Sequence, residues 1–236
     1  MQYKHAIVVG ASSGIGLELV KQLAASGCRV AGVARHAEKL EGIPNALPFK
    51  HDVTHYGEVP ALFQQITKEL GGLDLIVYSS GVMPAVGAHE FNFEKDRQMV
   101  EVNLLGCIAW MNQAAIRFEN TKAGSMVAIG SVAGDRGRAG QPVYNTTKAA
   151  MTTYMEAIRN RIAKYGVKVV TIKPGPTKTP MTADLHLRGA MDPAKVAAII
   201  LKKSRKTGEH YVKFSHRLIF YVIKRIPSPI FRRLGL

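Results

Sequence analysis

Tyr144 and Lys148 lie four residues apart, so on a helix they sit one turn above each other on a single face. An ammonium group beside a phenol favours the phenolate and lowers the tyrosine pKa from its usual value of about 10. That makes Tyr144 a candidate general acid/base near neutral pH. Upstream, Met126-Val127-Ala128-Ile129 reads as a buried strand, and Ser131 follows at its end, where a hydroxyl can point into a cleft. The commoner meaning of Tyr-x-x-x-Lys is a helix surface pair. The strand-end serine shifts the balance toward chemistry without deciding which.

At the amino end, Val8-Val9 runs into Gly10-Ala11-Ser12-Ser13-Gly14-Ile15-Gly16 and then into an amphipathic helical pattern. Glycines allow φ > 0 and let backbone N–H groups approach a pyrophosphate, while the helix dipole adds partial positive charge. The spacing G-x-x-x-G-x-G is one residue off the common dinucleotide fingerprint and is a weak signal alone. With Ser131, Tyr144 and Lys148 in order downstream, the set resembles the short-chain dehydrogenase/reductase family over roughly residues 4 to 213.

That resemblance implies an α/β, doubly wound, Rossmann-type and mostly parallel sheet with helices on both faces. It also implies an enzyme that interconverts a carbonyl and a secondary alcohol with NADP(H). Ser131 would hold the substrate oxygen and Tyr144 would exchange its proton, while Lys148 lowers the tyrosine pKa and holds the ribose. Asn103, in Val102-Asn103-Leu104-Leu105-Gly106, would bend its helix and position a relay water. Gly10, Ser12, Ser13, Gly14, Ile15 and Gly16 would cradle the pyrophosphate, with Ser80 and Gly81 allowing close approach. Asp52 and Val53 would lie against the adenine, and Pro174, Gly175, Thr177 and Thr179 would receive the nicotinamide amide.

The chain departs from the family pattern in places. Tyr78 and Ser79 stand where two asparagines are usual, and Val9 where threonine is usual, so the site near Ser79 should be braced differently. NAD-preferring relatives commonly carry aspartate at the place of Ala34; here Arg35 follows an apolar residue, as in NADP-preferring members. A forked, permanently charged guanidinium suits a 2′-phosphate. The plain alternative is a solvated arginine after a strand.

The elements that must position these residues alternate along the chain. Strands are predicted at His5–Val9, Arg29–Ala34, Ala46–Lys50, Leu73–Tyr78, up to Ser131, Val167–Ile172 and His210–Phe214. Helices are predicted from Gly14 to Ser26, Phe93 to Phe118, Tyr144 to Tyr165 and Pro193 to Arg205. At 236 residues and 47% hydrophobic content, the chain can bury one sizeable core. Two cysteines suggest no disulfide framework and a reducing, cytoplasmic setting. The eight histidines show no ligand-like clustering, so no metal is expected. No signal peptide is expected ahead of the first strand, and no apolar run reaches the ~20 residues that span a bilayer.

Charge is uneven. The net charge is +15, and from Lys202 onward there are ten basic residues and one acid, Glu209. Residues 1–214 read as the NADP-binding domain and 215–236 as a basic, amphipathic C-terminal tail. In that tail Leu218–Ile223 is an apolar run between Arg217 and Lys224-Arg225, after which Pro227 and Pro229 should break any helix. The run must be buried somewhere. It either packs on the sheet or on a second subunit of a homodimer or homotetramer, or it rests peripherally on the inner membrane face. Nucleic acid is not expected, because the tail carries no recognised binding motif. The segment Pro180–Asp192 is short where many relatives insert a lid, which suits an open cleft and a hydrophobic or lipid-linked substrate. Candidate lining residues are Met83, Pro84, Arg136, Arg138, Gln141, Val143, Met181 and Leu185. The competing reading is a non-catalytic NADP-binding regulator or sensor; the full Asn103, Ser131, Tyr144 and Lys148 set weighs against it.

Overall fold

The apolar runs of the five inner strands are buried on both faces of one sheet, as parallel strands require, and the two edge strands are partly exposed. The computed structural model describes residues 2–87, 89–184 and 189–234. Seven strands, β1 (His5–Val9), β2 (Arg29–Ala34), β3 (Ala46–Lys50), β4 (Leu75–Tyr78), β5 (Ser125–Ile129), β6 (Lys168–Lys173) and β7 (Gly208–Tyr211), form the sheet. Their order is β3-β2-β1-β4-β5-β6-β7, and every pairing is parallel. Where the sequence predicts a mostly parallel sheet, the sheet is wholly parallel. β4 begins at Leu75 rather than Leu73, and β7 ends at Tyr211 rather than Phe214.

On one face, α1 (Gly14–Ala25) and α6 (Pro193–Lys203) bury Leu19, Leu23, Val196 and Ile200. On the other, α2 (Val59–Leu70), α4 (Gly106–Thr121) and α5 (Pro142–Ile162) bury Phe63, Ile66, Trp110, Phe118 and Met155. The strand order reverses between β1 and β4, which places a crevice at the carboxyl ends of the strands.

The single helix predicted over 93–118 is interrupted. α3 (Phe93–Val100) passes into a π-helical turn, Glu101–Leu105, before α4 begins. Such turns widen a helix locally and are frequent at functional sites. Asn103 is fully buried at its centre. Tyr78, the residue that replaces a family asparagine, is the brace: its hydroxyl donates to the Val102 carbonyl at 2.5 Å.

The tail forms α7 (Phe214–Ile223) and a short α8 (Ser228–Phe231). The helix is broken before Pro227, as the sequence predicts, and a new short helix begins after it. Pro229 sits in the first turn of α8, where a missing N–H costs nothing.

Candidate active site

The first turn of α1 is left open by its own sequence. Ser13 stands at the N-cap but its side chain makes no cap bond, so the first N–H groups of the helix have no side-chain partner. Gly10 turns the chain at φ 86°, and a Cβ there would lie 2.5 Å from the Ser80 nitrogen. A Cβ on Gly16 would collide with the Gly10 carbonyl, and one on Gly14 would lie 2.9 Å from Thr179 Cγ2. The glycines therefore bring α1, the β4 end and the Pro174–Thr179 loop to contact distance around a dipole-bearing helix terminus.

These walls enclose a cleft of about 1050 Å³. Gly10, Ser12, Ser13, Gly14, Ile15, Arg35, Asp52, Val53, Ser80 and Gly81 line one half; Ser131, Tyr144, Lys148, Pro174, Gly175, Thr177 and Thr179 line the other. Gly16 and Asn103 lie behind the wall. Asn103 holds two segments together: Oδ1 accepts from Val82 N at 2.7 Å, and Nδ2 donates to Val82 O at 3.0 Å and to Thr147 Oγ1 at 3.3 Å.

Ser131 caps the 3-10 turn Val132–Asp135, its Oγ accepting from Ala133 N at 3.0 Å. Burial raises the Tyr144 pKa above its ordinary value, against smaller opposite pulls from the Ser131 hydroxyl and the Arg138 charge. The lowering expected from Lys148 is not expressed in this arrangement. The Lys148 Nζ lies 5.8 Å from the Tyr144 ring centroid and donates to the Ile129 carbonyl at 2.9 Å instead. Tyr144 is thus a neutral phenol at physiological pH, ready to donate.

Burial also depresses Lys148, to about 8. A folded pKa below the unfolded one means the unfolded chain binds more protons between them, so stability should rise as pH climbs through that window. Lys148→Met should abolish this rise. It should also raise the melting temperature near neutral pH by ~2–8 °C, because replacing a buried charge with an apolar side chain is often stabilising. Thermal melts of both proteins near neutral and near pH ~10 check this; a variant that melts no higher than the wild type near neutral pH would remove the buried-charge account.

Burial raises the Asp52 carboxyl, but bonds from the Thr54 N–H and hydroxyl at 3.0 and 2.9 Å, with the Arg35 charge, outweigh it and hold the pKa low. Asp52 therefore closes the turn after β3 and also faces the cleft. Arg35 is exposed at the mouth, and among the described residues no carboxylate pairs with it within 4.0 Å.

Of the predicted substrate-side residues, Met83, Pro84, Arg138, Gln141 and Met181 line the cleft. Gln141 adopts the left-handed region at φ 59° and donates to Pro84 O at 3.1 Å, joining two loops at the mouth. Val143 does not line it, and Leu185 lies outside the described residues. Arg136 does not line it either, because the tail engages its guanidinium: it donates to Lys224 O and Ser228 Oγ. In its place the tail contributes His216 and Phe220, which sequence reasoning missed. Both cysteines are buried and their thiols are pushed up to about 12, which keeps them from acting as thiolates. Among the described residues no group of three or more His, Cys, Asp or Glu side chains is placed to hold a metal.

The short chain dehydrogenase family model matches residues 4–188. An uncharacterized oxidoreductase of Myxococcus xanthus is 30% identical over 243 residues, covering 98% of this chain and 96% of its own. One from Staphylococcus aureus is 31% identical over 206 residues, 84% of this chain and 89% of that protein. Among solved structures, a short chain dehydrogenase from Burkholderia cenocepacia in complex with NADP superposes with a TM-score of 0.87 at 21% identity, covering 100% of this chain and 98% of that one. A short-chain type dehydrogenase/reductase from Mycobacterium marinum gives 0.81 at 26% identity, covering 89% and 93%.

Proposed function

The chain belongs to the short-chain dehydrogenase/reductase family, an enzyme family acting on CH–OH and C=O groups, and from that premise we propose an NADP(H)-dependent reductase of an apolar carbonyl compound. The observation that carries the reading is the meeting, in one cleft, of Ser131, Tyr144 and Lys148 with an uncapped helix terminus walled by glycines. A dinucleotide fits this set. The α1 turn would take the pyrophosphate, Asp52 and Val53 the adenine, Lys148 the ribose, and Gly175, Thr177 and Thr179 the carboxamide. NADP bound to the Burkholderia structure supports the choice of cofactor.

The bound cofactor supplies hydride to the carbonyl carbon, or accepts it in the reverse direction. Ser131 Oγ donates a hydrogen bond to the substrate oxygen, fixing it beside the phenol. Tyr144 transfers its hydroxyl proton to that oxygen, and the raised pKa keeps this proton in place until the oxygen becomes basic. Lys148 keeps a cation near the phenolate that forms. Asn103 acts as a positioning residue through Val82 and Thr147. Residues 1–214 carry this chemistry, and 215–236 form a contact surface that also walls the cleft.

Unpaired Arg35 supports NADPH over NADH. A charge-assisted contact to a 2′-phosphate contributes ~1.5–3 kcal/mol, about ten- to a hundred-fold in affinity. NADPH should bind at least ~10-fold tighter, and Arg35→Ala should erase most of the difference. Equal dissociation constants in the unmutated protein would sink the assignment. The activity itself is tested by NADPH oxidation over a panel of apolar ketones.

A further inference from the structure

α7 has two apolar faces, and the fold uses one. His216, Phe220 and Ile223, at i, i+4 and i+7, are half-buried against the body, and the first two line the cleft. His216 lies so close over Gly175 that a side chain there would collide with its ring. The helix is latched in this orientation. Arg136 donates to Lys224 O at 3.1 Å and to Ser228 Oγ at 3.3 Å, and its guanidinium stands 4.6 Å from the Phe231 ring centroid. Lys224 Nζ is 2.8 Å from the fully buried Asp135 carboxylate.

The outer face is left bare. Phe214, Leu218, Tyr221 and Val222, at i, i+4, i+7 and i+8, are 69%, 55%, 59% and 60% exposed, and Ile230 extends the patch at 54%. A contiguous apolar stripe of this kind marks an interaction surface. Its rim is cationic: Arg217, Arg225, Arg232 and Arg233 are all exposed. From Lys213 to the end the sequence contains no aspartate or glutamate. Two copies of this face brought together would oppose like charges, whereas anionic headgroups would neutralise them. At ten residues α7 cannot cross a bilayer, and no helix among the described residues is long and apolar enough to do so.

We propose that the outer face of α7 and α8 docks on anionic lipid, so that the cleft walled by the inner face of α7 opens at the bilayer and receives its carbonyl substrate from there. The docking stands on the geometry and charge of the tail. The origin of the substrate rests also on the reductase reading above. The apolar stripe would sink to the acyl boundary while the arginines stay among the headgroups.

The test uses the full chain with phosphatidylcholine vesicles, with and without phosphatidylserine, and sedimentation without lipid to give the oligomeric state. The protein should sediment with phosphatidylserine vesicles at low salt and be released as salt rises. Leu218→Glu with Val222→Glu should lower the bound fraction at least ~10-fold, since the outer stripe then carries acid in place of apolar area. NADPH affinity should stay unchanged in that variant, which shows that it is folded. Two results overturn the docking: wild-type protein left in the supernatant with phosphatidylserine vesicles, or a wild-type dimer that the variant turns into a monomer. Turnover separates the two claims. A vesicle-dissolved ketone should lose reduction in the variant while a water-soluble ketone keeps it. Equal loss for both, or none, overturns delivery from the bilayer, and vesicle binding without reduction of either ketone by the wild type overturns the reductase reading alone.

Discussion

Tyr144→Phe should lower carbonyl reduction by ~10²–10⁴-fold, the usual contribution of a positioned general acid. The ring and its packing are kept, so NADPH affinity should stay within about two-fold of wild type. The split follows from the geometry: the phenol is held neutral by burial, and Lys148 spends its hydrogen bond on Ile129 O rather than on the tyrosine. Losing the hydroxyl therefore removes the transferable proton and little else. Lys148→Ala should differ, weakening cofactor binding and turnover together, because the proposed mechanism gives that lysine both roles. Steady-state kinetics with direct cofactor titration separate the two patterns. Full activity in Tyr144→Phe would assign proton delivery elsewhere, whereas NADPH binding with no turnover in the wild type would revive the reading of the chain as an NADP-binding sensor.

The second large effect is one of stability. The Asp135 side chain is fully buried; it accepts from Lys173 Nζ at 2.5 Å and Tyr211 OH at 2.8 Å, and Lys224 Nζ pairs with it as an ion at 2.8 Å. Lys173, itself buried on β6, also pairs with Glu209 at 2.6 Å. The carboxylate thus ties the segment after Ser131 to β6, β7 and the tail. Removing one partner of a buried pair costs ~3–5 kcal/mol, because the other charge is left without compensation. Glu209 still faces Lys173, so Asp135→Ala should fall near ~3 kcal/mol, or a melting temperature lower by ~6–12 °C. Adding Lys173→Met should recover part of the loss, since the buried lysine charge is then gone too and the carboxylate left behind, Glu209, is partly exposed. If the double variant melted no higher than the single one, the cost would lie in the tyrosine and tail contacts rather than in the buried charge.

This network was invisible in the sequence. Asp135 sits among Gly134, Arg136 and Gly137, where an acid reads as an ordinary loop residue, and Lys173 ends a strand as lysines often do. Only the parallel β5–β6–β7 order brings them together. The cleft was far more legible. Gly10, Gly14, Gly16, Ser131, Tyr144 and Lys148 follow local rules of turn and helix geometry, so their spacing locates Gly10 and Ser131 after strands and the others on the helices that follow. The five inner strands could be read from local sequence too, as apolar runs buried on both faces. Asn103 was readable as a helix residue but its π turn was not, because an extra residue in a turn leaves no compositional mark. The sign of the Tyr144 shift was misjudged because spacing reports which charges are near and not how much solvent is excluded. Tail residues His216 and Phe220 were missed as cleft lining because their placement depends on the Arg136 and Asp135 latches, which are long-range.

The central claim is that this cleft moves a hydride between NADP(H) and a carbonyl carbon. It is tested most directly by mass spectrometry of the alcohol formed from an apolar ketone, supplied with each of the two NADPH epimers deuterated at the reactive carbon of the nicotinamide. The account predicts deuterium in the product from one epimer and not from the other, and at least ~10²-fold less alcohol when Tyr144→Phe replaces the wild type over the same interval. Unlabelled alcohol from both epimers, or no alcohol from any ketone tried while NADPH binds tightly, would contradict it.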